Sequence, residues 1–226
     1  MSIAPSHKVL GVLGGMGPAA TVAFLARVQA LTPAEGDADH IRVVMDMNPQ
    51  VPDRNTRPGE AEAELAAMAL RLKAAGAEVL AMPCNTAHAQ KAGIEVAGLP
   101  FIDMIAATVK AASGTGAGRI GVLATPGGEA LYRRALEAAG LEPVILRGGA
   151  RGGFMACVYA VKRGDTGPDQ RAAMRALGEE LIATGAEAVI AGCTEVPLLL
   201  AAADLAVPLV DSAEVLAAAC VAACRA

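Results

Sequence analysis

The chain has 226 residues, a net charge of −4 and a hydrophobic fraction of 54%, with charged residues at 19%, aromatic ones at 2% and no tryptophan. It carries no basic run and no stacking platform, so nucleic acid is not an expected partner. No apolar run approaches the ~20 residues of a membrane span, and the first eight residues lack the basic start and apolar core of a secretory signal; a cytoplasmic globular protein is expected.

Lys8–Leu13 is an apolar run that ends in Gly-Gly-Met-Gly-Pro, which predicts a buried strand entering a tight turn. Pro18 sits where a first helical residue would, and Ala19–Leu31 has helical spacing. Ile41–Met45 is a second strand. Asn48–Arg57 is a loop of ten residues, long enough to be functional. Glu60–Ala75 is a helix ended by Gly76, Glu78–Met82 a third strand, a helix starts near Thr86, and Pro100–Ile102 is a fourth strand. The scheme then repeats. Arg119–Ala124 is a strand, Thr125–Gly128 a turn, Glu129–Ala139 a helix and Glu142–Leu146 a strand. Arg147–Gly153 reads as a glycine-rich loop, and Phe154–Lys162 and Asp169–Thr184 as helices. Glu187–Ala191 is a strand, Pro197–Ala203 is helical and Val207–Val210 is the last strand. Ser212–Cys224 is a closing helix with Ser212 as its N-cap.

The repetition is literal in places. Gly76-Ala77-Glu78 returns as Gly185-Ala186-Glu187, each followed by five apolar or small residues and then a cysteine. Cys84 and Cys193 are 109 residues apart. Gly11-Val12-Leu13 returns as Gly121-Val122-Leu123, and Leu99–Asp103 as Val207–Asp211. Matched blocks in one order at a nearly constant offset indicate an internal duplication. Alternating strands and helices imply parallel sheets covered on both faces, which bind ligands beyond the carboxyl ends of their strands. The fold class expected is therefore α/β: two similar domains, each a parallel sheet of about four strands flanked by helices, related by pseudo-two-fold symmetry around a cleft. Pattern alone leaves open which half the closing helix joins.

Five cysteines, without Cys-x-x-Cys spacing, support neither a disulfide framework nor a zinc site, and reduced thiols are expected. Cys157, Cys220 and Cys224 lie on apolar helical stretches and read as core. Cys84 and Cys193 lie at strand ends with a helix starting just beyond. Free backbone N–H groups and the positive end of a helix favour a thiolate there. Two thiols on opposite faces of one carbon suit a two-base reaction: one, as thiolate, removes a proton and the other, as thiol, delivers one to the opposite face. Asn85, Thr86 and Thr194 add hydrogen-bonding groups for a bound anion. His88 lies one helical turn past Cys84 and reads equally as a modulator of the thiol or as a satisfied helix-face histidine.

Gly14-Gly15-Met16-Gly17-Pro18, Pro52-Asp53-Arg54, Pro83-Cys84-Asn85-Thr86-Ala87-His88, Ala124-Thr125 and Gly192-Cys193-Thr194-Glu195 resemble, in order and over nearly the whole chain, the motifs of the aspartate/glutamate racemase family. The resemblance implies a cofactor-independent amino-acid racemase, with no metal and no cofactor, in which Cys84 and Cys193 are the acid/base pair. It implies that Met16, Asn85, Thr86, Thr125 and Thr194 hold the α-carboxylate and α-amino groups. It implies that Arg54 and Lys162 bind a side-chain carboxylate, and a guanidinium suits that task. It further implies a homodimer and a division into 1–103 plus 212–226, carrying Cys84, and 104–211, carrying Cys193. One departure is visible: Asn55 separates Arg54 from Thr56, where acid-specific relatives place threonine directly after the arginine.

Other readings remain at this stage. A pyridoxal-phosphate racemase needs a Schiff-base lysine, and none of Lys8, Lys73, Lys91, Lys110 and Lys162 lies at a strand-end turn. A one-thiol lyase or isomerase acting on a small dicarboxylate needs only one of the two cysteines. A non-catalytic two-lobed binding protein would close on a ligand without chemistry.

Overall fold

The structure is a computed structural model that describes residues 7–54 and 56–226. Most of the segment inspected for a secretory signal, and Asn55, lie outside the described residues. The chain divides into two compact units, one running up to Met104 and including Ala213–Ala226, the other Ile105–Ser212. Among the described residues no helix is long and apolar enough to cross a membrane.

In the first unit, β1 (Leu10–Gly14) is followed by α1 (Pro18–Leu31), β2 (Val43–Met47), α2 (Pro58–Ala74), β3 (Val79–Ala81), the short α3 (Lys91–Glu95) and β4 (Phe101–Ile102). The four strands are parallel in the order β2-β1-β3-β4, with Leu10 opposite both Val43 and Val79. Next comes α4 (Met104–Ser113). The second unit continues with β5 (Arg119–Leu123), α5 (Pro126–Ala138), β6 (Glu142–Ile145), α6 (Gly149–Lys162), α7 (Pro168–Ala183), β7 (Ala188–Ala191) and β8 (Leu209–Asp211). Its sheet has the matching order β6-β5-β7-β8, again all parallel. The α/β class and the two four-stranded parallel sheets are as the sequence implied.

The repeated Gly-Ala-Glu does three physical jobs, and does them twice. Gly76 (φ +93°) and Gly185 (φ +100°) take the left-handed conformation that ends α2 and α7. The following alanine N–H then closes each helix, from Ala77 to Leu72 O and from Ala186 to Leu181 O, both at 3.0 Å. Ala77 and Ala186 press against glycines of the first strand. A Cβ on Gly11 would lie 2.7 Å from Ala77 Cβ, and one on Gly121 3.0 Å from Ala186 Cβ. The glutamates clamp the incoming strands: Val9 N–H donates to Glu78 Oε2 at 2.8 Å, and Gly118 N–H to Glu187 Oε2 at 2.7 Å.

The closing helix, α8 (Ser212–Arg225), starts in one unit and packs in the other. Ser212 Oγ donates to Ala191 O at 2.7 Å, tying the helix start to β7. Further along, Ala213, Leu216, Ala217, Cys220 and Cys224 share a core with Leu10, Val12, Phe24 and Val28 of the first unit. Lys8 N–H donates to Cys224 O at 2.9 Å. Cys157, Cys220 and Cys224 are all buried and all free. Burial pushes the Cys157 and Cys220 thiols up, and Cys224 up to about 11, so these three stay protonated at neutral pH.

Three local expectations change. The segment read as a glycine-rich loop is helical from Gly149, because Arg151 anchors that turn: its Nε donates to Leu146 O at 3.1 Å and its Nη2 pairs with Glu129. Tertiary contacts of this kind override the low helix propensity of Gly152 and Gly153. Pro197–Ala203 is not one helix but two short 3-10 turns, Val196–Leu198 and Ala202–Asp204. After Cys84 the chain makes a 3-10 turn, Thr86–Gln90, before α3. Helix α4 was not legible at all; its Met-Ile-Ala-Ala-Thr-Val-Lys-Ala-Ala-Ser offers almost no polar contrast.

Leu216 is fully buried among apolar neighbours of the first sheet. Leu216→Ala is therefore expected to destabilise the protein by about 2–5 kcal/mol. Urea unfolding at equilibrium checks this, and a change below about 1 kcal/mol would contradict the packing described.

Candidate active site

Each unit gathers candidate residues at the carboxyl ends of its strands. In the first unit, β1 runs into the Gly14–Pro18 turn. Gly15 has φ +96°, and a Cβ there would meet the Asn48 backbone at 2.5–2.7 Å. Only glycine fits such a turn. The Thr21 hydroxyl fastens it, accepting from Gly15 N–H at 3.0 Å and donating to Gly17 O at 2.9 Å. Pro18 opens α1, and Met16 is buried in the same apolar cluster as Cys84 and Val51.

Asn48 begins the long loop and joins it to this turn through Asn48 N–H to Gly14 O at 3.2 Å. Its side chain accepts from Gln50 N–H and donates to Glu64 Oε1, both at 2.9 Å. Asp53 Oδ1 accepts from Thr56 N–H at 2.9 Å, a side-chain-capped turn that presents Arg54. Arg54 is half-buried and folds back so that Nη1 donates to Val51 O and Pro52 O, both at 3.3 Å. Its Nε is buried and has no hydrogen-bond partner among the described residues. A buried donor without an acceptor is costly, and a carboxylate placed side-on to the guanidinium would satisfy it.

Cys84, Asn85 and Thr86 are buried just past β3. The Cys84 N–H donates to Met82 O at 2.8 Å, turning the chain sharply at Pro83. His88 lies beneath that turn, 3% exposed. Met104 N–H donates to His88 Nε2 at 3.1 Å, so the ring proton sits on Nδ1, which donates to Cys84 O at 2.9 Å. Phe101 packs against the imidazole at 5.4 Å between ring centres. Burial lowers the His88 pKa below its ordinary 6.5, against a smaller opposing effect of the hydrogen bond to Cys84 O. The imidazole is thus a neutral brace for the cysteine turn, acting on the backbone of Cys84.

In the second unit, Thr125 caps α5, its Oγ1 accepting from Gly128 N–H at 3.3 Å. A Cβ on Gly128 would lie 3.4 Å from Gly192 O, so this turn sits directly against the strand end that carries Cys193. Cys193, Thr194 and Glu195 are buried. Cys193 Sγ–H donates to Glu195 Oε2 at 2.9 Å, and Thr194 Oγ1 approaches the same oxygen at 3.5 Å. Glu195 was part of a quoted motif but received no role from the sequence. Its position two residues after the cysteine was the available signal. Lys162, by contrast, is exposed on the last turn of α6, where a cation suits the helix end. Among the described residues its ammonium group makes no ion pair or hydrogen bond.

The first unit thus brings Met16, Arg54, Cys84, Asn85 and Thr86 to neighbouring turns, and the second does the same for Thr125, Cys193 and Thr194. Among the described residues no cluster of three or more His, Cys, Asp or Glu side chains is placed to hold a metal ion. A surface groove of about 440 Å³ in the first unit is lined by Leu25, Val28, His40 and Met45 and includes neither Cys84 nor Arg54.

Residues 13–220 match the family model described as Asp/Glu/Hydantoin racemase. The chain is 28% identical over 218 residues to the broad specificity amino-acid racemase RacX of Bacillus subtilis, covering 92% of this chain and 95% of that protein. It is 33% identical over 153 residues to a glutamate racemase of Roseiflexus, covering 63% of this chain and 53% of that one. The solved structure of Picrophilus torridus aspartate racemase superposes with a TM-score of 0.82 at 29% identity, covering 96% of this chain and 94% of that one.

The His88 environment sets a pH dependence. Its native pKa is depressed, so below about 6.5 the unfolded chain takes up a proton that the folded one refuses. The contribution is present above 6.5 and is lost as pH falls toward the lower native value, by at most about 1.4 kcal/mol per pH unit. Comparing urea unfolding at pH 7.5 and 5.5 for the native protein and His88→Gln checks this. The variant is expected to lose less stability on acidification, and equal losses would contradict the assignment.

Proposed function

The chain belongs to the Asp/Glu/Hydantoin racemase family, and from that premise we propose that it racemises an amino acid bearing a side-chain carboxylate, aspartate or glutamate, by two-base proton transfer between Cys84 and Cys193 without a cofactor. The observation that carries this reading is positional. Each cysteine is buried directly beyond the carboxyl end of the third strand of its own parallel sheet, in two halves that repeat one another. A duplicated fold is a natural source of two like groups for two faces of one carbon.

In this reading the Cys84 thiolate takes the Cα proton, and the electron pair remains on carbon, delocalised into the α-carboxylate. The Cys193 thiol then gives its proton to the opposite face, and the configuration inverts. The negative charge has moved from one sulfur to the other, and the reverse reaction exchanges their roles. The turn at Met16 and the side chains of Asn85, Thr86, Thr125 and Thr194 hold the α-carboxylate and α-amino groups. The Nε edge of Arg54, which has no hydrogen-bond partner among the described residues, receives the side-chain carboxylate, with Lys162 as a second cation. Five free cysteines suit a reducing, cytoplasmic setting.

A second reading keeps the chemistry and widens the substrate. It is favoured by the likeness to RacX, which extends over 95% of that protein and whose name specifies broad specificity. Relative rates on aspartate, glutamate and neutral amino acids decide between the two.

The central test is incubation of L-aspartate in D₂O with no added cofactor. Cα deuteration and appearance of the D-enantiomer are expected, and their absence for every amino acid tried would overturn the proposal. Cys84→Ala and Cys193→Ala should each lower net racemisation by about 10²–10⁴-fold or more; a near-native rate in either variant would rule out two-base transfer. Arg54→Lys should raise KM for aspartate at least about tenfold while changing KM for a neutral amino acid little.

A further inference from the structure

The last helix of each repeat belongs to the other unit. Helices α4 and α8 directly follow β4 and β8, and the strand-end residues Asp103 and Asp211 match in the duplication, 108 residues apart. Met104, the first residue of α4, closes the first unit, and Ile105–Ser113 lies in the second. Ser212, the first residue of α8, closes the second unit, and Ala213–Arg225 lies in the first. The chain thus crosses between the units twice, at equivalent residues. Any rotation of one unit against the other has to be absorbed in such joints.

Each joint is tied to the cysteine segment of the unit that it closes. Met104 and Ser212 are both fully buried. Met104 N–H donates to His88 Nε2 at 3.1 Å, and His88 Nδ1–H donates to Cys84 O at 2.9 Å. Ser212 Oγ–H donates to Ala191 O at 2.7 Å, two residues before Cys193, and Gly192 N–H between them donates to Leu123 O at 2.9 Å. One unit uses an imidazole relay and the other a direct hydroxyl, yet both links run from the joint to the cysteine turn. Breaking either link leaves buried polar groups unsatisfied, which opposes movement of a joint away from its cysteine turn.

We propose that Ser212 is a positioning residue for Cys193, with His88 as its counterpart for Cys84, and that the two couple each sulfur to the joint where the chain leaves its unit. The consequence for catalysis rests on the two-thiol reading above; the coupling itself does not. Two-base transfer needs both sulfurs accurately placed, and a displacement of about 1 Å lowers a rate on the order of 10²-fold. With each cysteine turn fastened to a joint, a change in the orientation of the units carries both turns with it.

Ser212→Ala removes the hydroxyl that reaches Ala191 O. It is expected to lower kcat for L- and D-aspartate at least about fivefold, with KM within about threefold of native. Ser212→Thr restores a hydroxyl and should return kcat to within about threefold of native. A smaller loss in the alanine variant, or a threonine variant no better than it, would overturn the assignment of Ser212.

A second readout needs no activity. In native protein without ligand, the amides of Met104 and Cys84 are expected to exchange with deuterium as one unit, with protection factors within about fivefold of each other. In His88→Asn, whose amide still donates to Cys84 O but is too short to accept from Met104 N–H, that gap should open beyond about tenfold. A wide gap in the native protein, or a narrow one in the variant, would overturn the His88 link, and the native measurement stands even if the variant does not fold. Failure of the D₂O exchange with matched amide protection would instead count against the racemase reading alone.

Discussion

The geometry of both cysteine turns depends on one close approach, between the residue that follows a left-handed glycine and a glycine in the neighbouring first strand. Ala77 against Gly11, and Ala186 against Gly121, bring the end of a helix onto the sheet at a distance that any side chain on the strand would prevent. That contact fixes where β3 and β7 begin. The glutamates that follow, Glu78 and Glu187, then lock the start of the adjacent strand through backbone N–H groups. Once a strand's first residue is fixed and its pairing is parallel, its last residue is fixed too, because each strand residue advances by a set distance. The cysteines are positioned by a device at the opposite end of their own strands.

This explains why so much of the fold was legible. A device that needs Gly, Ala and Glu in that order leaves a mark in the sequence, and two copies make the mark unmistakable. The alternation of strands with helices, and the placement of the cysteine turns at strand ends, follow from the same reading. What escaped notice depends on long-range contacts. Gly149–Gly153 has the composition of a loop, yet it is helical because Arg151 reaches Leu146 and Glu129. Helix α4 lacks a polar stripe, so its periodicity was invisible. His88 was ambiguous because its role depends on Met104 N–H, sixteen residues away. No local pattern encodes that partner.

The polar groups near Cys84 divide into those satisfied within the fold and those left waiting. His88 is fully used: one ring nitrogen accepts, the other donates, and the ring is packed against Phe101. A neutral imidazole so held is a structural brace. Arg54 is the opposite case. Its Nη1 is tied to two carbonyls of its own loop, which fixes the guanidinium, while Nε is buried without an acceptor among the described residues. Orienting a group while leaving one donor unsatisfied makes sense where an anion is to be received, since the ordering cost falls before binding rather than during it.

Duplication and divergence bear differently on the chemistry. Duplication supplies two cysteines in equivalent places, each just past the third strand of its own sheet. Divergence at the second residue after each cysteine, Thr86 against Glu195, places a carboxylate in hydrogen-bond contact with the sulfur of the second turn where the first turn carries a threonine. The repeat therefore preserves where the chain turns but not what each turn presents. Position is held by the Gly-Ala-Glu device at the far end of each strand, and that leaves the residues after the cysteine free to differ.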